Sequence, residues 1–397
     1  MTPSVPMSDF AYLFERFPSF TQTFCYREVL EMRRQGAEVP LYSVRVPKDI
    51  PTDCPEALAR AVRYLPEPVA LAAEMKTWRM LGRYPWKAIL TLRGWGRRPD
   101  KGRALAAAWL GLRLRKEGVR RVHTHFAGIA ARTAYWIKQF YGIPYSFTGH
   151  ANDMFCETDS PVQLEDLVRE AELVVTVADF TRDWLRRRCP AYAAKIQRVY
   201  NGIDLAGIPS AHPASGRPQL LSVGRCIEKK GYATLIDACA LLRGRGLDFA
   251  CTIVGGGPLE ESLRARIGER AVGECVRLAG PQPQEEVRRL LSETTLFVLA
   301  CEPEPDGGMD TLPTVIAEAM AAGLPVVSTR LAGVPEMVIQ GETGLLVEPR
   351  DAEALAGALE TLLRDPALAA RMGACGKTLA AERFAVQTTV AELRALL

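Results

Sequence analysis

The sequence has no Asp-x-Asp triplet, the short carboxylate pattern that presents a divalent ion to a substrate, and no Cys-x-x-Cys pair. The first absence favours chemistry without a metal. The second bears on ten cysteines scattered at positions 25, 54, 156, 189, 226, 239, 251, 275, 301 and 375. They read as reduced, mostly buried thiols rather than a disulfide frame or a zinc site. No apolar run reaches the roughly 18–20 uncharged residues that a spanning helix needs. Met1-Thr2-Pro3-Ser4-Val5-Pro6 lacks a basic stretch followed by an apolar one, so no secretory signal is read there. Internal repeats and low-complexity stretches are missing, and histidine is scarce, with four residues. The expectation is a soluble or peripheral protein in the cytoplasm.

What is present is ordinary globular material: 397 residues, 48% hydrophobic and 24% charged, enough for two domains. The net charge of +4 conceals a split, with residues 1–200 at +10 and residues 201–397 at −6. Such asymmetry suggests that one half meets an anionic surface or ligand. The excess concentrates between Glu74 and Arg121, where 14 basic residues face three acidic ones and four of the six tryptophans lie, Trp78, Trp86, Trp95 and Trp109.

Short β-rich apolar runs alternate with helical patterns, which points to α/β layers with parallel sheets. In the first half, Phe10–Phe14, Val119–His125, Pro144–Thr148 and Leu173–Val177 read as strands, and a helix is predicted from Thr21 to Gln35 after a turn at Pro18. Ile208–Pro218, with three prolines, reads as a linker. The expected domains are 1–207 and 208–378, with a terminal helix over 379–397 returning to the first. In the second half, strands are predicted at Leu220–Val223, Ala250–Val254, Val276–Leu278, Leu296–Leu299, Pro325–Ser328 and Leu345–Val347. Helical patterns lie between them, and the tail from Asp351 reads as helical. This alternation implies a doubly wound domain with its ligand at the carboxyl ends of the strands.

Three segments carry chemistry. In Ser222-Val223-Gly224-Arg225-Cys226-Ile227-Glu228-Lys229-Lys230-Gly231, Arg225 and Lys230 share a loop between a strand and a helix, a place suited to a diphosphate. Taken alone, they read more readily as solvated surface charges, because most basic residues are solvated. Gly255-Gly256-Gly257-Pro258 follows a strand and lets backbone approach a nucleotide, or is a simple turn. In Asp306-Gly307-Gly308-Met309-Asp310-Thr311-Leu312-Pro313-Thr314-Val315-Ile316-Ala317-Glu318, two carboxylates stand eight apart, Asp310 in a loop and Glu318 inside the next helix. The first turn, near Thr311–Val315, would face a phosphate, with Pro313 where a helix start tolerates it. Glu318 could accept from a ribose diol and Asp310 from sugar hydroxyls; the alternative is an amphipathic helix with an incidental glutamate.

Together these segments resemble the retaining glycosyltransferases of family four. Tyr200-Asn201-Gly202-Ile203-Asp204, Ala322-Gly323-Leu324-Pro325-Val326-Val327 and Gly344-Leu345-Leu346-Val347 add to the likeness, which runs from about residue 199 to 365. The family usually has Glu-x7-Glu, and here the first member is Asp310. The first half resembles the exopolysaccharide and colanic-acid branch, through Phe17-Pro18-Ser19-Phe20-Thr21-Gln22-Thr23-Phe24, His123-Thr124-His125-Phe126 and Thr148-Gly149-His150-Ala151-Asn152-Asp153. It lacks the Gly-Gly loop that many relatives have near the N-terminus. His123 and His125 share one strand face, with His125 nearer the carboxyl end. Thr21 and Thr23 could cap a helix or face the cleft.

The resemblance implies the GT-B fold, two Rossmann-like doubly wound domains facing across a cleft. It implies transfer of a sugar with retention from a nucleotide-diphosphate donor, a UDP-sugar first and a GDP-sugar second, to a glycan or polyprenyl-linked acceptor. His150, Arg225, Lys230 and Glu318 would be catalytic; Asp310, Thr311, Leu312 and His150 would bind the donor sugar. Gly224, Arg225, Lys230, Gly256, Pro313, Thr314 and Glu318 would bind the nucleotide, and Thr21, Thr23, His125 and Asp153 would line the acceptor side. No metal, cofactor or nucleic-acid partner is expected. Residues 74–121 would dock on an anionic inner leaflet, unless they form a solvated basic face over buried tryptophans. A small soluble acceptor, an epimerase or phosphorylase, and a non-catalytic sugar-nucleotide scaffold at the membrane are the competing readings.

Overall fold

The structure, a computed structural model, describes the chain outside residues 1–8, 20–21, 49, 52–53, 81–100, 157 and 213–215, and the backbone alone at 79 and 101. Two compact units divide it. The first comprises Met1–Val177, Arg182–Val199 and Val390–Leu397; the second comprises Ala178–Thr181 and Tyr200–Thr389.

The first unit is built on seven strands: β1 (Phe10–Arg16), β2 (Leu41–Arg45), β3 (Val62–Tyr64), β4 (Arg121–His125), β5 (Tyr145–Gly149), β6 (Leu173–Thr176) and β7 (Ile196–Arg198). They form one parallel sheet in the order β3-β2-β1-β4-β5-β6-β7. Phe10, Tyr12 and Phe14 face one side of β1 and Ala11 and Leu13 the other, all buried, as a sheet covered by helices on both faces requires. Four of these strands were predicted. β2, β3 and β7 were not, because Ser43, Arg45, Arg63, Gln197 and Arg198 interrupt runs only three to five residues long. The first helix starts at Thr23, two residues after the predicted Thr21, and ends at Arg34.

The second unit has six strands: β8 (Gln219–Val223), β9 (Ala250–Val254), β10 (Val276–Leu278), β11 (Leu296–Leu299), β12 (Val326–Thr329) and β13 (Gly344–Val347). All six lie within a residue of their predicted positions, parallel and in the order β10-β9-β8-β11-β12-β13. The C-terminal tail from Asp351 is helical, as expected. It is three helices, Ala352–Arg364, Pro366–Arg383 and Val386–Leu396. Asp365 makes the first break, its carboxylate capping the Leu368 N–H at 2.9 Å while Pro366 opens the new helix.

The second unit closes on itself near its ends. Ile203 N–H donates to the Phe384 carbonyl (2.7 Å) and Val386 N–H to the Ile203 carbonyl (3.0 Å). Residues 390–397 count with the first unit, where Arg394 donates to the Gln35 carbonyl and Glu392 lies 3.5 Å from Arg198.

Candidate functional site

In each sheet the winding direction reverses once, between β1 and β4 in the first and between β8 and β11 in the second. Ligands of doubly wound domains bind beyond the carboxyl ends of the strands at that switch. Among the described residues, Gly224, Arg225 and Lys230 follow β8, Asp310 to Thr314 follow β11, His125 closes β4 and His150 follows β5.

In the second unit, Gly224 N–H donates to the Val254 carbonyl at 2.9 Å, and Cys226 N–H to the Gly256 carbonyl at 2.9 Å. These bonds pin the loop after β8 to the glycine turn after β9. Gly255 adopts φ +135°, and a Cβ there would lie 1.9 Å from the Gly224 carbonyl oxygen, so glycine alone permits the approach. Gly231 (φ +63°) closes the single turn Glu228–Lys230 and precedes the helix Tyr232–Gly244; its Cβ would lie 1.7 Å from the Ala300 carbonyl oxygen. That close packing sets Lys229 and Lys230 beside the loop that follows β11.

There Asp310 meets both. Lys230 Nζ donates to its Oδ2, and Lys229 Nζ lies 3.6 Å from its Oδ1. All three side chains are largely buried, at 16%, 13% and 9% exposure for Asp310, Lys230 and Lys229, so neither charge is screened by bulk water. Burial alone would raise the Asp310 pKa, and the ammonium groups of Lys230 and Lys229 outweigh it and hold the carboxyl below its usual range. Burial likewise opposes charge on Lys230, and Asp310 reverses that, so the pair is ionised. Arg225 is exposed on the same loop. Lys229, which the sequence reading passed over, is the more buried cation of the doublet; two lysines before a helix-opening glycine were its signal.

Thr311, Leu312 and Pro313 are buried, and among the described residues the Thr311 hydroxyl has no hydrogen-bond partner. Pro313 occupies the position just before the helix Thr314–Ala321, and no side chain caps that N-terminus. Glu318 is buried on that helix.

In the first unit, His125 ends β4 at the switch point. Its Nε2 lies 3.0 Å from Glu28 Oε1 and its Nδ1 3.1 Å from His150 Nε2. The Tyr12 hydroxyl donates to the same Glu28 oxygen at 2.5 Å. His123 sits deeper, with Nδ1 2.7 Å from Ser146 Oγ and Nε2 3.1 Å from Thr148 Oγ1. Burial pushes His123 and His150 well below the usual imidazole range. In His125 the Cys25 sulfur and Glu28 carboxylate overcome burial and raise it. Glu28 and Tyr12 escaped the sequence reading because no local motif ties them to β4.

Asp153 is committed to backbone: its carboxylate accepts from Ala127 and Ala151 (2.8 Å each) and from His150 (3.2 Å). It shapes the loop that carries His150. Thr23 is the first residue of its helix and Gln22 the cap, with no side-chain capping bond, so the expected capping role is absent. Thr21 lies outside the described residues. Among those described, Glu28, His123 and His125 bring possible metal-ligand atoms within 4.8 Å of one another. Their ring nitrogens are already engaged by Ser146, Thr148, Glu28 and His150, so this donor set reads as a hydrogen-bonded network. In the basic stretch, Trp109 is buried and donates to Glu74 at 2.6 Å, with Trp78 stacked on it. Trp86 and Trp95 lie outside the described residues.

Residues 21–206 match the family described as Glycosyltransferase Family 4, and residues 208–378 the one described as Glycosyl transferases group 1. Over 141 residues the chain is 43% identical to the amylovoran biosynthesis glycosyltransferase AmsK of Erwinia amylovora, covering 36% of this chain and 35% of that one. It is 34% identical over 205 residues to WcaL of Salmonella typhimurium, named as a colanic acid biosynthesis glycosyltransferase, covering 51% and 50%. These matches span a third to a half of the relatives' lengths. A glycogen synthase of Mycobacterium tuberculosis is 32% identical over 295 residues, 70% of each chain. A glycosyltransferase from Rickettsia africae (TM-score 0.73, 16% identity, 98% and 97% covered) shares the fold. So does Anabaena HepE, solved with UDP (TM-score 0.71, 17% identity, 97% and 98% covered). Two parallel sheets with loaded switch points, and relatives matched across both units, lead to one conclusion: the chain belongs to glycosyltransferase family 4 and has the GT-B fold.

Proposed function

We propose that the protein transfers a sugar from a nucleotide-diphosphate donor, a UDP-sugar first and a GDP-sugar second, to a glycan or lipid-linked acceptor of polysaccharide synthesis, with retention and without a metal. One observation carries this reading: Lys229 and Lys230 converge on Asp310 at the β8–β11 switch point, with the charge of Arg225 on the same loop. Preorganised cations at a departing diphosphate do the work that a divalent ion does elsewhere.

In this reading the bond from the anomeric carbon to the phosphate oxygen breaks as Arg225 and Lys230 take up the developing charge, and Lys229 reinforces them. The acceptor oxygen bonds to the same face of the anomeric carbon, and its proton passes to the departing phosphate oxygen. Gly224, Gly256, Pro313 and Thr314 bring backbone to the nucleotide, and Glu318 accepts from the ribose diol. Asp310, once exchanged from Lys230, binds sugar hydroxyls beside Thr311 and Leu312. His150 contacts the donor sugar, and His125 lies behind it.

The acceptor is proposed to be held at the cytoplasmic leaflet. Arg113, Arg115, Lys116, Arg120 and Arg121 are exposed, and each basic residue near an anionic surface contributes about 1 kcal/mol. Among the described residues no helix is long and apolar enough to cross a membrane. Incubation with radiolabelled UDP- and GDP-sugars, with and without polyprenyl-linked acceptor, tests the function. Acceptor-dependent label transfer is expected. Donor binding with no transfer or hydrolysis across the panel would favour a sugar-nucleotide scaffold.

A further inference from the structure

Glu28 sits on the helix Thr23–Arg34 and reaches back to strands β1 and β4, where one of its oxygens accepts from Tyr12 (2.5 Å) and from His125 Nε2 (3.0 Å). A carboxylate only accepts, so the His125 Nε2 must carry a proton. The second nitrogen of that ring faces His150 Nε2 at 3.1 Å, and one proton lies between the two. That leaves two arrangements. With a neutral His125, His150 donates from Nε2 and its Nδ1 keeps a lone pair. With a charged His125, the ring donates on both sides, His150 accepts at Nε2, and its Nδ1 carries the proton.

The surroundings decide between them. The titratable groups facing His125 are Tyr12 from β1, Cys25 and Glu28 from the helix, His123 from β4 itself and His150 after β5. Burial pushes the Tyr12 phenol and the Cys25 thiol up, and Glu28 supplies the carboxylate that accepts from the His125 ring. The His125 side chain is 1% exposed and that of Glu28 17%, so a carboxylate here with no cation beside it would be poorly compensated. A charged His125 compensates it. His150 is held below its usual range by burial and by the neighbouring His125 charge, in keeping with a neutral acceptor.

His150 is also fixed as a ring. Phe24 and Phe126 lie against it at 4.7 and 4.3 Å between centroids. Phe126 takes φ +68°, an unusual conformation for a bulky residue, and its N–H bonds the Thr148 carbonyl at 2.7 Å. Among the described residues no protein partner is recorded for His150 Nδ1.

We propose that Glu28 is a positioning residue that acts through His125 to set His150 in its Nδ1–H tautomer, making His150 a hydrogen-bond donor. The substrate side of this inference rests on the transferase reading above: His150 then gives a proton-bearing nitrogen to an oxygen of the donor sugar or its phosphate. It would reject a ligand that offers only a donor there.

The test uses the full-length protein labelled with ¹⁵N in its four histidines, read by long-range ¹H–¹⁵N spectra at pH 7.5, with His123→Gln and His212→Gln variants to assign signals. Wild type should show His125 with both nitrogens protonated and His150 as the neutral Nδ1–H form. Glu28→Gln, which removes the charge and keeps the shape, should make His125 neutral and turn His150 to Nε2–H. In donor turnover it should lower kcat about tenfold with little change in KM, and Glu28→Asp should restore part of both. An Nε2–H His150 in the wild type overturns the proposal, and that measurement needs no variant to fold. Unchanged ring signals in Glu28→Gln overturn it as well. The ring states are read without substrate, so a wild type that turns over no nucleotide sugar counts against the transferase reading alone.

Discussion

Lys230 and Asp310, 80 residues apart in the chain, form a buried ion pair that joins the turn after β8 to the loop after β11. A lysine already holding a carboxylate must exchange it for phosphate when a diphosphate arrives. Lys229, 3.6 Å from the other Asp310 oxygen, keeps that carboxylate compensated during the exchange. Arg225→Ala and Lys230→Ala are each expected to cut turnover about 10²-fold, as loss of a preorganised charge donor does. Arg225 is exposed, so its variant should melt like the wild type. Near-wild-type rates in folded variants would remove the clamp assignment.

The two carboxylates should separate by ligand. Glu318→Gln is expected to weaken UDP binding, whereas Asp310→Asn leaves free-nucleotide affinity unchanged or tighter, because it frees two lysines from their counter-ion. The loss in Asp310→Asn should fall on sugar choice. Calorimetry with UDP reads the difference, and equal loss of affinity in both variants would show the roles wrongly divided.

EDTA is expected to leave transfer intact, since three cations rather than a divalent ion would meet the diphosphate. Complete loss, restored by Mg²⁺ or Mn²⁺, would contradict this.

Stability should depend on pH through the histidine chain in a signed way. Cys25 and Glu28 raise His125 against the opposing effect of burial, so its contribution is full below the unfolded value of about 6.5 and fades as pH rises through the raised one. His123 and His150 are lowered, so theirs is full above about 6.5 and fades as pH falls. Glu28→Gln should therefore cost about 1.5–3 kcal/mol near pH 6 and progressively less at higher pH. Urea melts across pH 6–9 check it, and a cost that grows with pH would be the wrong sign.

Membrane docking is expected to show as flotation with anionic liposomes at low salt and its loss at high salt, because the contact is ionic. Trp109 is buried under Trp78, so an aromatic anchor from this pair is not part of the expectation. Equal recovery in the soluble fraction with anionic and neutral vesicles at both salt levels would favour a soluble acceptor.

The second sheet was legible because its strands are compact apolar runs closed by turn residues, as in Ala250–Val254 before three glycines. Edge strands β3 and β7 were hidden by arginines that an edge tolerates and a centre does not. Arg225, Lys230 and Asp310 could be found because each lies in a local strand–loop–helix pattern. Glu28 could not, since its partner His125 is 97 residues away and only the packing of a helix on β1 and β4 brings them together. Asp153 entered through the family resemblance as a residue of the acceptor side, and the fold uses its carboxylate as a hydrogen-bond acceptor for three backbone groups.

The chain's last eight residues belong with its first half, which imposes an order on synthesis. The seven-stranded sheet can assemble once Arg198 has left the ribosome, yet the contacts of Glu392 with Arg198 and of Arg394 with Gln35 must await the whole second unit. At about 5–20 residues per second that interval is roughly 10–40 s. During it the newborn first half carries an uncovered docking face, and the second unit, joined to itself at Ile203 and Phe384, can complete before that face is closed.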